Sequence, residues 1–208
     1  MTIKARYMLL AVLIISVTLL ILLLSSRQEK FIHKTAINEK IVQTRSFSVS
    51  SDSTDLNTSA KGTLFIKGDK GIPEHIQIVA SISIDPKDWG GVAFNIPDKW
   101  YISNITSSYP EKETKSIPAD YITTLTTADT ENKWRAIIEV GRGRNAYKST
   151  GGGTGTVVID LVSDKKAIQE SDQFSISVAV GSDEKDGVKI VGPDYVEIPI
   201  SLTDMSDD

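Results

Sequence analysis

The sequence contains no cysteine. That excludes a disulfide framework, a thiolate metal site, a cysteine nucleophile and a lipid-modified cysteine. Histidine is almost as scarce. Only His33 and His75 occur, so imidazole metal ligation and histidine acid–base catalysis have little to draw on. Neither a P-loop lysine pattern nor a nucleophile-elbow serine is present. Beyond the N-terminal region no stretch carries the apolar period of a useful helix; residues 164–170 offer a single turn at most. An excess of basic charge is missing as well. All 27 acidic residues, and all but two of the 23 basic ones, follow the N-terminal apolar run, so that part carries six more negative than positive charges. A phosphate backbone requires basic surface, so nucleic-acid binding is not expected, nor adhesion of the domain to anionic lipid.

What the sequence does have begins with "MLLAVLIISVTLLILLL", Met8 to Leu24, an uncharged run in which only Ser16 and Thr18 are polar. Residues 7–26 are long enough to cross a hydrocarbon layer of about 30 Å as a helix rising ~1.5 Å per residue. Lipid offers the backbone no hydrogen bonds, so a helix is the expected form. A cleaved signal peptide has a shorter apolar core followed by small residues; here Leu24 lies two positions before Ser26 and Arg27 follows at once. Residues 7–26 are therefore expected to be an uncleaved transmembrane signal-anchor, preceded by a short basic tail over 1–6. Lys4 and Arg6 lie before the run and Arg27, Lys30 and Lys34 after it, so basic residues do not decide the orientation. The Ser- and Thr-rich, cysteine-free remainder favours a C-terminal domain outside the cell. The expected organisation continues with a polar stalk over 27–61, a first strand falling near 45–50, a folded domain over 62–203 and an acidic tail over 204–208.

Within the domain the apolar period is two. "HIQIVASISI" sets Ile76, Ile78, Ala80, Ile82 and Ile84 on one face. "WRAIIEV", "FSISVAV" and "VEIPI" repeat the alternation, which predicts half-buried strands. In that phase Trp100 and Trp134 fall with the core residues. Pro199 on the polar face of "VEIPI" predicts an edge strand or a bulge. Further strands are expected at 63–67, 91–96, 100–105, 121–126, 156–162 and 188–191, with turns at "DPKDWGG", "IPDK", "SDEKDG" and "VGPD". Short strands with one apolar face each predict an all-β fold, a two-sheet antiparallel β-sandwich of about 9–11 strands.

"GVAFNIPDKWYISNI", "GTGTVVIDLVS" and "FSISVAVGSD" together give the region Gly62–Leu202 a pattern that resembles the anchored β-sandwich modules of bacterial cell envelopes, including cohesin-like modules and carbohydrate-binding jelly rolls. The resemblance implies binding rather than catalysis, and it transfers no site residue.

The glycine-rich stretch "STGGGTGTVVIDL", residues 149–161, resembles at first the phosphate loop of tubulin-like GTPases. Such a loop needs a helix N-terminus behind it. Here Val157 stands where that family has a glycine, and a β-branched run follows, which favours a strand. No nucleotide site is expected. The preceding loop, with Arg142, Arg144 and Lys148, offers a basic surface that suits an anionic wall polymer. Trp89, Tyr109 and Tyr147 fall in turns or loops, where an exposed ring can stack on a sugar. The acidic run "GSDEKDG" lacks the alternating acids of a calcium loop and reads as a hairpin turn. Catalytic, cofactor and metal residues are therefore not expected. The candidate contacts are Trp89, Tyr109, Arg142, Arg144, Tyr147 and Lys148. The expected role is a membrane-anchored, extracytoplasmic, non-catalytic binding or structural protein whose partner is an envelope protein or a wall polymer. Two alternatives stand beside it: an accessory subunit of a membrane complex assembled through the helix, and a wall carbohydrate-binding or hydrolase-associated module.

Overall fold

A computed structural model describes residues 40–69, 72–111, 121–127, 134–143, 147–164 and 173–201. Among them no helix is long and apolar enough to cross a membrane. The 7–26 segment lies outside the described residues, as do residues 165–170 and the acidic tail.

The described residues form ten strands: β1 (Lys40–Ser50), β2 (Ser59–Asp69), β3 (Ile72–Ile84), β4 (Val92–Pro97), β5 (Trp100–Ser107), β6 (Ile122–Thr126), β7 (Trp134–Val140), β8 (Gly153–Ser163), β9 (Gln173–Lys185) and β10 (Val188–Ser201). They make two five-stranded sheets, ordered β1-β2-β3-β8-β5 and β10-β9-β4-β7-β6. Every neighbouring pair is antiparallel. The chain is a β-sandwich.

The core follows directly from the alternation. In the first sheet Ile78 lies between Leu64 and Ile159, and all three are fully buried. In the second, Phe94 lies between Ile138 and Val178, again fully buried. Each such side chain contributes roughly 1.5–3 kcal/mol relative to exposure. The two apolar faces meet in one cluster that also takes in Trp100 and Tyr109.

Two features depart from the pattern read in the sequence. The first strand expected near 45–50 is there but begins at Lys40, and the stretch assigned to the stalk supplies all of β1 and the start of β2, so the folded part starts well before Gly62. β1 is an edge strand with one buried side chain, Phe47, so its apolar signal is slight. Next, 188–191 and 196–200 are one strand, because "VGPD" is a register shift between Val191 and Asp194 instead of a turn. Pro199 then falls on an edge strand, where its missing N–H costs no ladder bond. The hairpin turn expected in "SDEKDG" is present: strand runs to Lys185, and the hairpin closes in two residues, Asp186 and Gly187, at φ 52° and 77°. Two positive φ values in a two-residue loop match the twist of the flanking strands.

Candidate functional site

The turn after β3 organises one end of the sandwich. Asp88 is wholly buried there. Its Oδ2 accepts from Thr58 Oγ1 at 2.5 Å, and its Oδ1 accepts from Gly90 N at 2.7 Å and from Ser182 Oγ at 2.6 Å. Thr58 precedes the second strand of one sheet and Ser182 belongs to β9 of the other, so one side chain joins both. Asp85, three residues earlier, accepts from Lys87 N at 2.8 Å and from Asn57 N at 3.0 Å. The Lys87 N–H above all, helped by Asn57 and the Lys87 charge, holds the Asp85 carboxyl below the usual carboxylate range.

This turn carries Trp89, which is half-buried. The loop from Gly141 to Gly153 comes back to it: Gly143 N donates to Trp89 O at 2.9 Å, and Ser149 Oγ donates to Pro86 O. Tyr147 thereby meets Trp89 edge to face, ring centroids 4.9 Å apart and planes at 82°. Lys189 Nζ, from β10, lies 5.6 Å from the Trp89 ring and 5.1 Å from the Tyr147 ring, and pairs with Glu184 at 2.8 Å. Two of the expected contact residues are thus brought together, with a lysine that sequence reasoning passed over. Lys148 is exposed. Arg142 is engaged, pairing through Nη1 with the buried Glu139. Arg144 lies outside the described residues.

Tyr109 corrects the reading of an exposed loop aromatic: it is 1% exposed. The chain beyond β5 keeps following β8, with Ser108 N donating to Thr156 O at 2.9 Å and Glu111 N to Thr154 O at 3.0 Å. That path lays Tyr109 over Gly155 and sets its ring edge to face with Tyr121 at 5.7 Å. The glycine-rich stretch itself runs at φ 101°, 69° and 138° through Gly151, Gly152 and Gly153 and then enters β8, a strand, as expected.

A second surface lies on the outer face of the second sheet. Antiparallel register places Tyr195, Ala179, Ala93 and Glu139 in one cross-strand row. Glu197, Ser177, Asn95 and Ile137 form the next. The middle of each row is small, so the rows frame a trough of about 410 Å³ between Tyr195 on one side and Trp134 and Arg142 on the other. Trp134 and Glu197 also line an adjoining cavity of about 470 Å³ against Trp100 and Phe174. Trp134 was expected in the core. A register shift between Ile96 and Pro97 inserts Arg135 as an extra residue and pairs Trp134 with Pro97, out of phase with Ala136. Tyr195 is 64% exposed. Its face was legible as the one opposite Val196, Ile198 and Ile200. Trp134 had no such signal, because a bulge leaves none in the alternation.

No group of three or more metal-ligating side chains occurs among the described residues. Compared with known protein families, curated proteins and solved structures, the chain matches none.

Proposed function

We propose that this chain is a non-catalytic binding module, held to a membrane by residues 7–26 and displaying its sandwich outside the cell, with the outer trough of the second sheet as its ligand surface and an envelope glycan as the ligand. The observation that carries the reading is the shape and chemistry of the trough. A floor of Ala93, Ala179 and Ser177 lies between the Tyr195 and Trp134 side chains. Aromatic rings accept the C–H faces of sugars, and Asn95 and Glu197 present amide and carboxylate groups to hydroxyls. The acidic balance of the domain favours a neutral or cationic glycan over an anionic one. The Glu139 pairing of Arg142 points the same way, since it leaves the basic loop with less charge to offer.

The test is retention of the full-length protein, in detergent micelles, on insoluble wall polysaccharide and on neutral soluble glycans. Wild type is expected to be retained, and Tyr195→Ala and Trp134→Ala to weaken retention at least about tenfold, as loss of a stacking contact does. Absence of retention of the wild type on every glycan overturns the reading.

A further inference from the structure

At the end of the sandwich that Asp88 ties together, Trp89, Tyr147 and Glu184 enclose an ammonium group, and it is the chain's own. Lys189 Nζ is 5.6 and 5.1 Å from the two ring centroids, inside the range of about 6 Å over which a ring attracts a cation. The rings meet at 82°, so they form a corner that a compact cation fills. Glu184 completes the enclosure at 2.8 Å. The corner is built and held. Tyr147 sits at φ 47°, a backbone region that few non-glycine residues adopt. The loop carrying it is tied to the Trp89 turn through Gly143 N and Ser149 Oγ. Trp89 in turn follows Asp88, the residue with bonds to both sheets.

The enclosure also opens to solvent. Tyr147 is 45% exposed, and the side chains of Lys189 and Glu184 are 36% and 54% exposed. Lys189 reaches the corner from a two-residue hairpin, on a flexible side chain that can leave without disturbing the core.

From these observations we infer that the Trp89–Tyr147–Glu184 corner is a binding site for an alkylammonium group, and that Lys189 is an internal ligand competing for it. A site of this kind binds weakly while Lys189 fills it and more tightly once that side chain is removed. The inference is independent of the glycan trough, which shares none of these residues.

The experiment follows the Trp89 indole N–H resonance of the full-length protein in maltoside micelles, whose headgroup carries no ammonium. Choline and n-butylammonium are titrated separately into wild type, Lys189→Ala and the Lys189→Ala/Tyr147→Ala double variant. Choline alone perturbing the resonance identifies a quaternary group, and n-butylammonium alone identifies a primary one that needs its N–H donors. Lys189→Ala is expected to bind at least one of them tenfold or more tightly than wild type, and the double variant to lose that gain. Tyr147 is exposed, so its truncation leaves the core intact, and unchanged Trp100 and Trp134 resonances verify the fold. Equal binding by wild type and Lys189→Ala, or binding that survives loss of Tyr147, overturns the inference.

Discussion

Tyr109 lies so close to the backbone of Gly155 that a Cβ at 155 would stand 2.6 Å from both its Cα and its Cβ. The fourth glycine of the stretch is there for this approach. With no side chain at 155, the chain after β5 can run beside β8 and deliver a tyrosine to the core. Gly155→Ala is expected to push that segment off β8 and to cost about 1–3 kcal/mol, the usual range for overpacking. Urea denaturation of the two proteins checks it, and an unchanged midpoint refutes the packing account.

Asp88 makes a second, larger prediction. Its three hydrogen bonds come from Thr58, Gly90 and Ser182, on segments from both sheets. Asp88→Ala leaves all three donors buried without an acceptor, each costing roughly 1–3 kcal/mol. The expected total is at least about 3 kcal/mol, with Ser182→Ala costing less because Asp88 Oδ1 keeps Gly90 N as a donor, and Thr58→Val costing more than Ser182→Ala because it also takes the acceptor from Asp85 N. A double-mutant cycle between Thr58 and Ser182 should show coupling through the shared carboxyl group.

How much of this was legible depends on where each residue sits. Strands buried on one face declared themselves, because Ile76 through Ile84 repeat every second residue and a core imposes that period. The Asp186–Gly187 turn was legible from its residue types. The second half of β1 was legible as a strand near 45–50, but its start at Lys40 was not, since an edge strand with Phe47 as its one buried side chain imposes little alternation on its first half. Trp134 was misplaced because one inserted residue reverses the phase of everything before it. The pairing of Trp89 with Tyr147 joins residues 58 apart in the chain, and the juxtaposition with Lys189 adds a third segment. Residue types suggested the first two as contacts; only the fold brings them to one corner.

Asp85 gives a prediction with a definite sign. Its folded-state pKa lies below its ordinary value, so the unfolded chain binds the proton more readily than the folded one. The stability it contributes is present above the unfolded pKa, near pH 4, and is lost as pH falls through the folded value. Asp85→Asn should therefore lower the urea midpoint at pH 7 more than at pH 3. A gap between the two proteins that stays constant or widens in acid contradicts the assignment.

The trough can be tested by filling it. Asn95 stands mid-row on the outer face of the second sheet, between Ser177 and Ile137. Its side chain is half-buried, so a phenylalanine there has open space in front of it and suits the strand. Asn95→Phe should change stability by less than about 1 kcal/mol, as outward-facing substitutions do, while occupying the space a sugar ring would take. Glycan retention should fall at least tenfold, and the Trp89 response to alkylammonium should stay as it is, since that corner lies on other residues. A folded Asn95→Phe protein that holds glycan as well as wild type would remove the trough as the ligand surface and leave the ammonium corner standing.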